Sequence, residues 1–173
     1  MQYSIYFFIT VSIIISALSF IYAAVLHSWV KKQPSSNKRI AEVGKLIRDG
    51  ADTFLKKEYT ILAKFSGVIA ILILIFLPTP IWKGSFTANL TMAIAYICGT
   101  VFSGVAGVIG MRVATLANVK TAEAAQKGIK PSFLCGFRGG AVMGMAVVGS
   151  TLLGVALVLL ITNDTTPLLG FSF

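Results

Sequence analysis

The sequence predicts an all-α, polytopic membrane protein with four transmembrane helices and one amphipathic cytoplasmic helix. Three observations lead there. Of the 173 residues, 56% are hydrophobic and only 12% charged, a balance that excludes an ordinary water-soluble domain. Met1 to Val30, Phe65 to Trp82, Phe86 to Met111 and Gly139 to Asn163 contain no Asp, Glu, Lys or Arg. Each is near or beyond the length of about 20 apolar residues that crosses a bilayer. Finally, nine of the 15 Lys and Arg residues lie between Lys31 and Lys64, five lie from Arg112 to Arg138, and only Lys83 stands elsewhere. A net charge of +9 would suggest nucleic acid in a soluble chain. Distributed this way, it excludes that partner and points to the lipid bilayer. The positive-inside rule then puts both basic segments in the cytoplasm, with the N-terminus, the Pro78 to Asn89 turn and the C-terminal tail on the non-cytoplasmic side.

The expected organisation is a single transmembrane domain over 1–173, with spans at 3–30, 65–82, 88–112 and 134–162 and cytoplasmic loops at 31–64 and 113–133. The first span has no basic flank before it and an apolar run too long for a signal peptide, so it is a retained helix. It is rich in Ile, Phe and Ser and has no glycine, which suits a surface facing lipid over much of its girth. His27 and Trp29 close it at the cytoplasmic end, where amphipathic rings favour the interface. The cluster Gln33-Pro34-Ser35-Ser36-Asn37 is a turn in which Ser36 or Asn37 caps a helix beginning near Lys38. Ile40, Val43, Ile47, Ala51, Phe54 and Leu55 then recur at steps of three and four, with Lys45, Arg48, Asp49, Asp52 and Lys56 mostly off that stripe. This is the amphipathic helix, and it leads into the second span.

Pro78 and Pro80 stop the second span, and Trp82 anchors at the outer interface. The third and fourth spans differ in kind, for they hold ten of the 16 glycines. Gly99, Ser103 and Gly107 repeat every fourth residue, as do Gly136, Gly140 and Gly144. Such rows let backbones approach closely, because association within lipid depends on packing rather than on the hydrophobic effect. Both rows therefore want protein neighbours.

Chemistry is scarce. The six acids are Glu42, Asp49, Asp52, Glu58, Glu123 and Asp164, and none lies within a span, where an ion pump or transporter keeps its functional carboxylates. Asp49 and Asp52 share a helical face, but Lys45, Arg48 and Lys56 compete for them and favour a solvated, salt-bridged surface over a Mg²⁺ site. The single His27 excludes a His-dependent triad or a multi-His metal site, and no phosphate-binding loop or zinc spacing occurs. Cys98 and Cys135 sit in apolar settings and are expected to be buried, unreactive thiols. Arg112 and Arg138 lie at the cytoplasmic ends of the glycine-rich helices, where snorkelling to headgroups, a structural ion pair and a place at a cytoplasmic funnel are all open. No catalytic, cofactor-binding or metal-ligating residue is assigned.

Three blocks carry a family resemblance. Gly110-Met-Arg-Val-Ala-Thr-Leu-Ala-Asn-Val-Lys-Thr-Ala-Glu-Ala-Ala125 and Phe137-Arg-Gly-Gly-Ala-Val-Met-Gly144 resemble the third and fourth helices of membrane-bound inorganic pyrophosphatases. Ile47-Arg-Asp-Gly-Ala-Asp-Thr-Phe-Leu-Lys-Lys-Glu-Tyr59 resembles the segment before that family's second helix. The blocks occur in the family's order and the resemblance covers essentially the whole chain. It implies a pyrophosphate-energised pump: an inorganic diphosphatase that uses Mg²⁺ and, in one subclass, K⁺, works as a homodimer, and couples cytoplasmic hydrolysis to H⁺ or Na⁺ translocation. The implied mechanism is attack of a carboxylate-activated water on Mg²⁺-bound pyrophosphate. The family's chain is several times longer, and its acids sit in a later segment resembling Asp-Val-Gly-Ala-Asp-Leu-Val-Gly-Lys on an inner ring of helices. No such segment occurs here, so the resemblance assigns this chain to the bracing outer ring, and the chain alone is expected not to hydrolyse pyrophosphate. Pro131 departs from the family pattern but is acceptable in a first helical turn. A chain stopping after Phe173 implies either an interrupted reading frame or a remnant protein. The competing reading is a non-enzymatic four-helix scaffold or assembly module joined through its glycine rows; a small four-helix transporter is disfavoured by the lack of an ionisable residue at mid-membrane.

Overall fold

The computed structural model describes residues 2–84 and 86–173. Met1, where the first apolar stretch begins, and Ser85, in the expected outer turn, lie outside them. Five helices and no strand occur among the described residues: α1 Gln2–Lys31, α2 Lys38–Phe76, α3 Phe86–Ala125, α4 Ile129–Thr162 and α5 Thr166–Ser172. The first four are long and apolar enough to cross a membrane.

The helix ends explain where the sequence-based boundaries shift. α2 begins at Lys38 because Asn37 Oδ1 accepts hydrogen bonds from the Arg39 N–H (3.0 Å) and the Ile40 N–H (3.3 Å), so Asn37 rather than Ser36 is the cap. The amphipathic helix and the second span are one helix of 39 residues. It stops at Phe76, ahead of Pro78 and Pro80, so 77–82 is not helical as the expected span 65–82 required. The 12 residues from Phe65 to Phe76 rise only about 18 Å, short of the roughly 30 Å hydrocarbon core. A span on α2 must therefore take in the turns before Phe65, with Lys64 reaching outward. The expected loop 113–133 contracts to the turn at Gln126–Gly128, since α3 runs to Ala125 and α4 starts at Ile129. Val113 to Ala125 contains no Gly or Pro, and the end of an apolar stretch is no reason for a helix to end. Gly128, at φ 120°, makes the reversal that a residue with a Cβ resists. α5 has no counterpart in the sequence-based expectation. Asp164 Oδ1 accepts from the N–H and hydroxyl of Thr166 (3.0 Å each) where this helix begins, beside Pro167.

By its contacts the chain divides into two compact units. One comprises the chain up to Ser16, Glu58–Gly104 and Ser150–Phe173. Its core is Ile73, Met92, Ala93 and Tyr96, with Ile69, Ala70 and Leu74 packed against it. Asn89 is fully buried, and its Nδ2 donates to the Leu74 (3.0 Å) and Thr79 (2.8 Å) carbonyls, satisfying the C-terminal end of α2 and the turn beyond it. α5 docks through Gly170, where a Cβ would overlap the Met92 carbonyl, and through Phe171, which lies against Gly99 and Gly154. The Tyr59 hydroxyl donates to the Gly104 carbonyl at 3.0 Å.

The other unit comprises Ala17–Lys57 and Val105–Gly149. Ala23, Leu26, Val113 and Val142 form its core, with Ala141 and Met145 alongside. On the part of α4 within this unit the buried residues are Cys135, Gly139, Val142, Ala146 and Gly149, alternating steps of four and three. Ser19, Ala23, Leu26 and Val30 do the same on α1. These seams replace the row Gly136, Gly140, Gly144 as the packed face. A Cβ at Gly139 would overlap that of Ala117, whereas Gly140 and Gly144 are exposed with nothing within 4 Å. The reason is angular: each step of four overshoots a helical turn, so a strict four-residue row drifts off a face that alternating steps hold. The outward side of α1, with Leu18, Ile21, Tyr22 and Val25, is exposed as its composition suggested.

Candidate functional site

The richest polar arrangement lies where the 33–37 turn meets the last turns of α3 and the first turn of α4. Lys120 and Glu123 are three residues apart on α3 and therefore project to the same side. The Lys120 ammonium donates to the Gln33 carbonyl at 2.6 Å. Glu123 Oε1 accepts from the Ser36 N–H and from the Ser36 hydroxyl at 2.7 Å. Ser36 is thus drawn away from capping α2 and binds α3 instead. The Ser132 hydroxyl donates to the Thr121 carbonyl at 3.2 Å, tying the start of α4 to the same end of α3. Nearby, the Arg138 guanidinium lies 4.0 Å over the Trp29 ring, a cation–π contact.

Glu123 is only 5% exposed. Hydrogen bonding from the Ser36 N–H, reinforced by the Ser36 hydroxyl, holds its carboxyl below the usual range, and burial opposes this without reversing it. Its second oxygen, Oε2, is buried with no hydrogen-bond partner. Glu123 is one of the residues around a cavity of about 230 Å³, with Trp29, Pro34, Lys120, Lys127 and Leu134.

The residues singled out from the sequence do not converge on a reactive centre. Asp49 and Asp52 are exposed on α2. Among the described residues there is no group of three His, Cys, Asp or Glu side chains able to hold a metal ion. Arg112 is exposed and has no part in the Trp29 contact that engages Arg138. His27 is half-buried, and its Nδ1 has no partner. The expectation of two buried thiols holds for Cys135 only; Cys98 is exposed, on the α3 face it shares with Ile94, Ile97 and Val101. That face has no neighbour among the described residues, so an apolar setting in sequence did not become burial. The amphipathic stripe is likewise only partly covered: Gly44 packs on Val119, while Val43, Ile47 and Phe54 are exposed. What the sequence reading missed is Glu123 with Lys120 and Ser36. The available signal was an acid standing alone in the 113–133 segment, three residues after a lysine. One carboxylate held by Ser36, beside a lysine bound to the Gln33 carbonyl, is a lock between elements and lacks the converging acids of a hydrolytic centre.

Residues 17–173 match the family model of the inorganic H⁺ pyrophosphatases. The chain is 34% identical over 156 residues to a K⁺-insensitive pyrophosphate-energized proton pump of Methanosarcina mazei, covering 90% of this chain and 22% of that protein. It is 40% identical over 142 residues to a K⁺-stimulated pyrophosphate-energized sodium pump of Thermotoga maritima, covering 81% and 18%. A K⁺-insensitive proton pump of Chloroflexus aurantiacus is 30% identical over 175 residues, covering 93% and 23%. The chain thus spans about a fifth of the length of these relatives. The match begins midway along α1 and takes in the other three span-capable helices whole, and the chain belongs to the inorganic H⁺ pyrophosphatase family.

Proposed function

We propose that this chain supplies bracing, outer-ring helices of a pyrophosphate-energised ion pump, with the hydrolytic and ion-conducting parts provided by further helices. The observation that carries this reading is the family match over 17–173 combined with a share of only about a fifth of each relative's length. Its partners are the lipid bilayer, the remaining pump helices and a second copy of the pump. Both basic segments face the cytoplasm, and both termini lie on the other side.

Mg²⁺ belongs to the pump that the family implies, and the residues of this chain do not fit it. A hard divalent cation takes several oxygen ligands, and here the acids are dispersed, with Glu123 committed to Ser36 and flanked by lysines. The H⁺ or Na⁺ specificity and the response to K⁺, which differ between the relatives' names, belong to the same missing parts.

The test is phosphate release from pyrophosphate by the 173-residue chain in lipid vesicles with Mg²⁺. The expected rate equals that of a heat-treated control, and Mg²⁺-dependent release above it would overturn the assignment. An antibody against Lys38 to Tyr59 should mark, in native membranes, a polypeptide several times heavier than 18.4 kDa. A band at 18.4 kDa would instead make the chain a scaffold in its own right.

A further inference from the structure

Two helices of this chain are far longer than a bilayer needs. α2 and α3, at 39 and 40 residues, each rise about 60 Å against a hydrocarbon core of about 30 Å. Their charged residues run from Lys38 to Lys64 on α2 and from Arg112 onward on α3, so the excess length lies on the basic side of the membrane. About 20 residues counted back from Phe76 fill the core, which leaves Lys38 to Lys56 beyond it. On that projecting stretch Val43 (50% exposed), Leu46 (71%), Ile47 (45%) and Phe54 (54%) share one face of the helix. Gly50 lies among them, and a Cβ there would meet nothing within 4 Å. Lys45, Asp49, Asp52 and Lys56 occupy the opposite side, while a third side meets α3 through Gly44 against Val119. Four large apolar side chains on one face mark a surface that binds something. Lipid does not reach it, because α2 runs unbroken from its span and so leaves the bilayer, where a helix lying on the membrane would have to bend. Beside Val43 and Ile47 the face deepens into a cleft of about 220 Å³ between α2 and α3, walled by Ile40, Val119 and Ala122 and bordered by Arg39. Lys57 stands on Arg39's side of the helix, about five turns along. Such a cleft accepts apolar side chains from a helix laid along the face.

We propose that this face seats a further helix of the pump polypeptide, one that also leaves the bilayer on the basic side. That helix is apolar where it meets Val43, Ile47 and Phe54, and acidic along the edge that meets Arg39 and Lys57. The inference rests on the pump reading above, since about four-fifths of each relative's length lies beyond the match. A second copy of this chain suits the face less. Lys38 to Lys57 carries six Lys and Arg against three acids, so two copies would meet there with like charge, whereas an acidic edge is attracted.

The experiment compares the rate at which a water-soluble maleimide labels Ile47→Cys, Phe54→Cys and Lys45→Cys in native membranes and in the isolated 173-residue chain in vesicles. Labelling is read by mass spectrometry on the proteolytic peptide that holds the new cysteine. Ile47→Cys and Phe54→Cys should each react about tenfold more slowly in native membranes than in the isolated chain, because a docked helix must first open. Lys45→Cys, on the opposite side, should react alike in both. Phe54→Cys keeps the test valid if Ile47→Cys misfolds. Equal rates in the two preparations, in a polypeptide several times heavier than 18.4 kDa, would overturn the docking and leave the pump reading intact. A native polypeptide of 18.4 kDa would remove the pump reading and this occupant with it. Protection that vanishes after an alkaline wash, which strips soluble proteins and leaves spanning helices, would assign the face to a soluble partner and overturn the proposal. Protection already present in the isolated chain would assign it to a second copy, with the same consequence.

Discussion

Glu123 carries two demands at once: one oxygen anchors the Ser36 turn to α3 and the other is buried without a hydrogen-bond donor. Its pH behaviour follows from the anchor. The folded carboxyl titrates below the unfolded value of 4.5, so its contribution to stability is complete above about pH 4.5 and is lost as pH falls through the depressed folded value. The stability difference between the native chain and Glu123→Gln should be constant from pH 7 to 5 and shrink on further acidification, read from denaturation midpoints in detergent. A difference that instead grew in acid would refute the anchor. At this scale the sequence was legible where a side chain acts on its own neighbours and opaque where it acts across the fold. Asn37 caps the helix two residues on, and the local pattern of Ser and Asn before an apolar stripe shows it. Glu123 meets a partner 87 positions away, so in sequence it looks like one more solvated charge. Asn89 is the same case in an apolar setting. Nothing beside it announces that the Leu74 and Thr79 carbonyls take its amide as their donor.

At the level of elements, the seam of α4 makes the sharpest claim. Gly139 faces Ala117 with no room for a Cβ, and Gly140, its immediate neighbour, faces nothing within 4 Å. Gly139→Val should therefore cost about 1–3 kcal/mol through overpacking, and Gly140→Val should change stability by less than about 0.5 kcal/mol. Thermal midpoints of the two variants in detergent settle the order, and a larger loss at Gly140 would return the packed face to the four-residue row. The charge-free stretches sufficed to locate four helices because the bilayer length sets a minimum apolar run. They did not locate helix ends, since a helix leaving lipid continues wherever its residues permit, as α3 does through Val113 to Ala125. α5 was hidden for another reason. Seven residues carry too little periodicity to read, and this helix rests on contacts of Gly170 and Phe171 with distant glycines and Met92.

For the molecule as a whole, the asymmetry of its basic residues sets an orientation that labelling can check. In variants whose only cysteine replaces Lys45 or Lys83, a membrane-impermeant maleimide should reach position 45 from the cytoplasmic face and position 83 from the opposite one. Labelling of both from one side would overturn the four-span topology. The seams described above bear also on the order in which such a protein assembles. Gly, Ala and Ser bring almost no rotameric freedom to be frozen, so helices meeting along Ser19, Ala23, Gly139 and Ala146 lose little entropy when they dock. Each helix has its backbone bonds complete as soon as it enters lipid, before it has touched another. Insertion and docking thus become separate events in time, and a methyl group added on a seam delays the second while leaving the first untouched.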